Sequence, residues 1–213
     1  GWFTAGLDGT ADKEYEIEGD FVQVRKQVET FENTGWNLDW CYLRHPQAEN
    51  YELADNRLCL HGSKVTLDEV DSPTFIGIRQ KDFNFTETVE VTVDVGEAGI
   101  TVYSCENEHY DLAIRRAGEQ YEAVLKLNIG GIKHEQSVVK LSSNKATLII
   151  HADNFQYNFF VSEGAEEIAL GCGQVKYLSS EVSGGFTGVV LGLYAVGENT
   201  AVFEKFEISY TEE

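Results

Sequence analysis

Residues 89–95 read Val-Glu-Val-Thr-Val-Asp-Val, so an apolar side chain alternates strictly with a polar one. Successive side chains of an extended strand point to opposite faces, and this stretch would therefore have one buried and one solvated face. Its β-branched residues also favour a pleated, half-buried surface. The stretch predicts a β-strand that covers a core on one side.

The same alternation recurs along the chain between turn-forming clusters. The alternating runs lie at residues 99–104, 121–128, 146–151 and 155–161. The clusters, rich in Gly and Ser, lie at residues 96–99, 128–131, 142–145, 162–164 and 183–185. Strands at this spacing, with no amphipathic stretch of helical length, predict an all-β fold, an antiparallel two-sheet β-sandwich.

The charge of the chain restricts its partners. The 213 residues include 36 acidic and 16 basic side chains, and the formal net charge is −20. Nucleic acid is excluded because phosphate binding needs clustered Lys and Arg, and an anionic membrane surface is disfavoured for the same reason. No apolar run approaches the length of a membrane span. Neutral small molecules, neutral polymers or another protein surface remain.

The first thirty residues differ from the rest. Residues 6–15 are polar and aperiodic, and the chain opens at Gly1 with no methionine anywhere. Trp2 and Phe3 are large apolar side chains that either pack on the sandwich or contact a part that is absent. We expect residues 1–30 to be a connector from a missing N-terminal domain and residues 31–213 to form the sandwich.

Four cysteines are scattered at positions 41, 59, 105 and 172. A domain of this size can build a core without disulfides, so reduced core thiols in a cytoplasmic protein are the favoured interpretation. The alternation around Cys59 predicts that its thiol points inward. Two disulfide bonds are the alternative.

Sequence motifs for catalysis or metal binding are weak. There is no phosphate-binding loop and no Gly-x-Ser-x-Gly nucleophile motif. His109, His134 and His151 could meet across strands, but hydrogen-bonded or surface roles are the simpler interpretation for all five histidines. Residues 68–71 carry three carboxylates that could bind calcium as a loop site does. Solvated loop acids are again simpler, so we expect no cofactor, with calcium as an alternative.

Aromatic residues offer better candidates for ligand contacts. Trp36 and Trp40 lie four residues apart, so one ring could pack in the core while the other contacts a sugar or another domain. Arg44, close to them in sequence, is a candidate for the same kind of contact. Phe186 follows Gly184 and Gly185 in a predicted turn. Its ring is either the first core residue of the next strand or is presented to a partner.

Eight short blocks together resemble a known domain. They are residues 40–46 (Trp-Cys-Tyr-Leu-Arg-His-Pro), 58–63 (Leu-Cys-Leu-His-Gly-Ser), 78–80 with Phe83 and Phe85, 98–103 with His109 and Tyr110, 178–181, 184–188 (Gly-Gly-Phe-Thr-Gly), 192–194 and 203–206. In order and spacing they resemble the C-terminal concanavalin A-like β-sandwich, a jelly roll, of glycoside hydrolase family 43 β-xylosidases. The resemblance covers residues 31–210.

The resemblance implies that catalysis belongs to a domain other than the sandwich. Family 43 enzymes hydrolyse xylosides, and often arabinofuranosides, with catalytic carboxylates on an N-terminal β-propeller. It therefore implies no catalytic residue in this chain and two partners, the propeller and a xylo-oligosaccharide. Phe186 matches the family's loop phenylalanine, which reaches toward the substrate pocket. The alternatives are an independent carbohydrate-binding module or lectin-like domain, and a structural domain that supports a homo-oligomer.

Overall fold

The computed structural model describes residues 26–32, 35–186, 188–198 and 200–210. Trp2, Phe3 and most of the predicted connector lie outside these ranges. The strands are β1 (Lys26–Glu29), β2 (Trp40–Tyr42), β3 (Tyr51–Ala54), β4 (Arg57–His61), β5 (Thr74–Arg79), β6 (Phe85–Val93), β7 (Glu97–Cys105), β8 (Glu108–Ala117), β9 (Gln120–Ile129), β10 (Ile132–Leu141), β11 (Lys145–Ala152), β12 (Gln156–Ser162), β13 (Ile168–Gln174), β14 (Val190–Val196) and β15 (Thr200–Tyr210). Helical structure in this part of the chain consists of two 3-10 turns, Ala48–Asn50 and Val175–Leu178, and the one-turn helix α1, Ser180–Ser183. No helix of the described ranges has the length and apolarity needed to cross a membrane.

The strands form two antiparallel sheets. One has the order β13-β12-β11-β6-β15-β4-β3, with β1 also paired to β15. The other has the order β10-β9-β8-β7-β14-β5-β2. Buried side chains from both sheets form one continuous apolar cluster. The predicted all-β, two-sheet sandwich is confirmed.

The core between the sheets follows directly from the alternating sequence. On β6, every second residue from Phe85 to Val93 is buried while the residues between them face solvent. Phe203, Phe206 and Ile208 of the adjacent β15 are fully buried in the same layer. Each buried apolar side chain of this layer contributes roughly 1.5–3 kcal/mol to the stability of the fold when it leaves water.

The seven-stranded sheet is also covered on part of its outer face, the face turned away from the other sheet. A second apolar cluster lies there and consists of Leu67, Phe75, Tyr103, Ala113, Val124, Val190 and Tyr194. Because both of its faces are covered, β14 is buried along nearly its whole length. Polar side chains on this outer face are therefore partly withdrawn from water.

Three local predictions need correction or comment. Cys59 does not point into the core: the fully buried neighbours are Leu58 and Leu60, so the thiol lies on the opposite, half-buried face. The turn predicted at residues 96–99 is shorter, since β7 begins at Glu97. Residues 26–29, part of the predicted connector, form β1. All four cysteines are free thiols, as predicted, but none is a core residue, because each is only half-buried.

Candidate functional site

Three exposed phenylalanines lie at one end of the sandwich, where β5 ends and where β6, β12 and β14 begin. We call this end the strand-end surface and define it by residues 80–84, 153–156 and 175–186, with Gly188 and Val189. The exposed fractions of Phe83, Phe155 and Phe186 are 54%, 80% and 99%. Soluble domains seldom display several large rings at one end, so this surface is the first candidate for an interface.

Phe186 follows a well-anchored segment, residues 178–185, which we call its base. Leu178 is buried and fixes the end of the 3-10 turn in the core. The backbone amide of Ser183 donates to the Ser179 carbonyl over 2.9 Å, and the Ser104 hydroxyl of β7 donates to the Ser183 hydroxyl over 3.1 Å. The chain then leaves α1 through Gly184, whose φ of 75° is the left-handed conformation that favours glycine. The ring is thus presented outside its own domain.

A groove of about 350 Å³ runs beside this base. The Tyr157 hydroxyl donates to the side-chain Oε1 of Gln80 over 2.8 Å, and the backbone N–H of Gln80 donates to the Val189 carbonyl over 3.0 Å. Burial raises the pKa of the Tyr157 hydroxyl, which therefore stays a neutral hydrogen-bond donor. The groove has defined walls, and its apolar lining includes Phe83 and Val175.

The two tryptophans have different environments. Trp40 is only 8% exposed and packs on Phe206 with a ring-centroid distance of 5.1 Å. It is a core residue and has little free surface for a ligand. Trp36 is half-buried and meets Trp40 edge-on at 6.1 Å. A sugar or interdomain contact by Trp36 stays a prediction, as does one by Trp2 or Phe3.

Arg44 serves a local structural role in the described chain. Its guanidinium donates to the Asp71 carbonyl over 2.8 Å and pairs with the Glu106 carboxylate at 3.2 Å. Its backbone has a φ of 52°, unusual for a residue with a side chain. These contacts tie the 69–72 loop to the β7–β8 turn. Whether Arg44 also contacts a ligand stays a prediction.

The three carboxylates of residues 68–71 do not converge. Asp68 bonds His109, while Glu69 accepts from the Thr66 amide and Asp71 from the Ser72 amide. Within the described ranges, no group of three or more His, Cys, Asp or Glu side chains is arranged to hold a metal ion. Calcium binding has no support from this loop.

A buried polar cluster on the outer face of the seven-stranded sheet was missed in the sequence. His109 is 3% exposed and lies between Asp111, 2.9 Å from Nδ1, and Asp68, 3.2 Å from Nε2. Burial alone would lower the pKa of His109, but the charges and hydrogen bonds of Asp111 and Asp68 outweigh burial and raise it to about 9. His109 is therefore cationic at neutral pH. His151 lies on the other sheet, beside Glu167 at 2.9 Å, so the three histidines do not meet.

The sequence indicates part of this cluster but not all of it. His109 and Asp111 alternate with the core residues Tyr110 and Leu112, which places both polar side chains on one face. Asn128 joins them only because β9 pairs with β8 in the register that sets His109 opposite Asn128. Register between strands is not visible in an alternating sequence.

The match to a known family extends over most of the chain. The family model described as the β-xylosidase C-terminal concanavalin A-like domain matches residues 28–209. A non-reducing-end α-L-arabinofuranosidase of Bacteroides ovatus is 30% identical over 94% of this chain and 40% of its own length. A xylosidase/arabinosidase of Butyrivibrio fibrisolvens is 25% identical over 84% of this chain and 38% of its own length.

Solved structures agree with this match. A structure described as Bacteroides ovatus xyloglucan PUL GH43B superposes with a TM-score of 0.86 and 28% identity, over 99% of this chain and 45% of its own. A xylan β-1,4-xylosidase from Bacillus halodurans shares the fold, with a TM-score of 0.81 and 18% identity over 97% of this chain and 46% of its own. The chain spans less than half the length of these relatives. It belongs to the family of β-xylosidase C-terminal concanavalin A-like domains.

Proposed function

We propose that this chain is the non-catalytic C-terminal domain of a family 43 glycosidase and that it closes the sugar pocket of a catalytic propeller in the same protein. The observation that carries the proposal is Phe186, which is 99% exposed on an anchored base. The described part of its own domain leaves this ring almost fully exposed, whereas a partner surface would remove it from water. Related proteins with a catalytic domain in the same chain support such a partner.

The parent enzyme would act on β-xylosides or α-arabinofuranosides from xylo-oligosaccharides. The names of two relatives, an arabinofuranosidase and a xylosidase/arabinosidase, support this substrate class. Within the pocket, the Phe186 ring would exclude water and contact the apolar face of the sugar. The four free thiols support a cytoplasmic location as part of the same proposal. A homo-oligomer stays a prediction.

Replacing Phe186 in the parent enzyme tests the pocket role. Phe186→Ala should lower kcat/KM on an aryl xyloside or arabinofuranoside by about 5- to 150-fold, because an apolar contact worth roughly 1–3 kcal/mol is lost in the transition state. The melting temperature should not change, since the ring is 99% exposed among the described residues. Steady-state kinetics and thermal unfolding measure the two effects.

Ile168→Ala is the matched control, because Ile168 is also exposed but lies at the opposite end of the sandwich. It should leave kcat/KM within about twofold of the parent value. Unchanged kinetics in Phe186→Ala would contradict the pocket role. Turnover of the same substrate by the purified 213-residue chain would contradict the non-catalytic assignment.

A further inference from the structure

A cavity of about 350 Å³ lies on the outer face of the seven-stranded sheet. Strands β7, β8, β9, β10 and β14 form its floor, and the loop at residues 66–68 forms one wall. This volume is within the range of small-molecule sites, roughly 300–1,000 Å³, and suits about one or two sugar rings. The cavity is built from different residues than the strand-end surface, and it needs no second domain to form.

The floor of the cavity is polar, buried and fixed. The exposed fractions of His109, Asp111 and Asn128 are 3%, 6% and 3%. The Thr101 hydroxyl donates to Asp111 over 2.6 Å, and the Asn128 amide nitrogen donates to Asp68 over 2.7 Å. Such a network holds its members in one arrangement before any ligand arrives.

One polar atom of this floor lacks a partner. The carboxamide oxygen of Asn128 is buried and has no hydrogen bond to any described residue, although its amide nitrogen bonds Asp68 and the Glu106 carbonyl. Buried polar groups are nearly always hydrogen-bonded, so an unpartnered one calls for an explanation. A ligand hydroxyl group that donates a hydrogen bond to this oxygen would satisfy it.

The charges around the cavity indicate a neutral ligand. Each acidic side chain in the lining is already paired with a cation, as in the Asp68–Lys133 contact of 2.9 Å and the Lys126–Glu97 contact. The third acid in the lining is Asp111, which pairs with His109. The fourth acid is Glu135, bound by Arg115. Because no fixed charge is left without a counterion among these groups, a charged ligand would gain nothing specific on entering.

Apart from Thr66 and His134, the remaining lining is apolar. Leu67 and Val196 contribute aliphatic surface, and the fully buried Tyr194 directs its hydroxyl to Glu97 over 2.9 Å. We propose that this cavity binds one neutral sugar unit, with its hydroxyl groups on Asn128 and the Asp68–His109 pair and its C–H faces on the aliphatic wall. The ligand class is a pentose or hexose end of an uncharged oligosaccharide. This site goes beyond the proposed function, because it does not depend on Phe186 or on a propeller.

Titration of the isotopically labelled 213-residue chain with D-xylose, L-arabinose and xylobiose, up to about 50 mM, tests the proposal. We expect saturable amide shifts at residues 109–111, 126–128 and 133–135 and none at residues 180–186. Lys133→Trp, which places a ring at the cavity mouth from a 59% exposed side chain, should weaken binding about tenfold or more. Lys140→Trp is the matched control on the same face of β10, outside the cavity, and should bind like the parent chain.

Asn128→Leu keeps the shape of the side chain but removes its polar atoms, and should abolish the shifts. Lys133→Trp decides the question if Asn128→Leu does not fold. The absence of saturable shifts at the cavity with all three sugars would overturn the proposal. Preferential binding of D-glucuronate over D-xylose would overturn the neutral ligand class. Shifts confined to the Phe186 loop would overturn the cavity as the sugar site, while leaving the proposed function intact.

Discussion

One fully buried carboxylate, that of Glu87, should make the stability of the fold depend on pH. It points from β6 into the core, is fully buried, and neither of its oxygens has a partner among the described residues. Burial raises its pKa to about 8. In the unfolded chain the same group titrates near pH 4.3. Between these two values the folded state holds a proton that the unfolded state has released, so the contribution of Glu87 to stability falls as pH rises and levels off above about 8.

Glu87→Gln should remove this pH dependence. At pH 5 both folded chains are neutral at this position, but the unfolded glutamate is already mostly ionised, so the variant should be more stable by only about 1 kcal/mol. At pH 8.5 the variant should be more stable by several kcal/mol, on the order of 4. Urea denaturation at the two pH values measures the difference. Glu90→Gln, on the solvent face of the same strand, is the control and should have a small effect at both; an equal gain at pH 5 and pH 8.5 for Glu87→Gln would refute the assignment.

At the scale of elements, the contact between β14 and β5 depends on a missing side chain. A Cβ added to Gly192 would lie 2.1 Å from Cε2 of Phe75. The Phe75 ring is fully buried and packs on Tyr103 at a centroid distance of 5.7 Å, so it cannot move aside freely. Gly192→Ala should therefore lower the free energy of unfolding by roughly 1–3 kcal/mol.

Chemical denaturation of Gly192→Ala measures this cost. Gly164→Ala is the control, since no atom lies within 4 Å of its added Cβ. The double variant Gly192→Ala/Phe75→Leu should lose less than the sum of the two single variants, because the smaller side chain makes room for the methyl group. Strict additivity would show that the clash with Phe75 is not the cause.

The elements also show what a sequence can predict. Strands β6, β9 and β11 alternate clearly, and their prediction is confirmed. The edge strand β10 was missed because nearly all of it is exposed on both faces, so its sequence has no period. The helix α1 was missed because a single turn has no amphipathic repeat. The exposure of Phe186 stayed undecided, because a ring after two glycines suits a strand start and an exposed tip equally well.

At the scale of the whole molecule, two opposing electrostatic effects act on stability: attraction within ion pairs and repulsion between like charges across the surface. Most ion pairs of the described residues have at least one exposed partner, and an exposed pair such as Lys81–Asp39 at 2.8 Å is worth about 0–1 kcal/mol. The net charge of −20 is spread over the same surface, and its self-repulsion destabilises the compact state. We expect the repulsion to outweigh the pairs, because it involves every unpaired carboxylate.

Added salt should therefore stabilise the isolated chain. Raising NaCl from about 0.01 M to about 1 M shortens the screening length from roughly 30 Å to roughly 3 Å and removes most of the repulsion. A gain of about 1 kcal/mol would raise the melting temperature by about 2–4 °C in a protein of this size. Glu119→Lys, in an exposed hairpin turn, changes the net charge from −20 to −18 and should mimic part of the effect at low salt only. A melting temperature that falls with added NaCl would mean that the ion pairs dominate and would refute this balance.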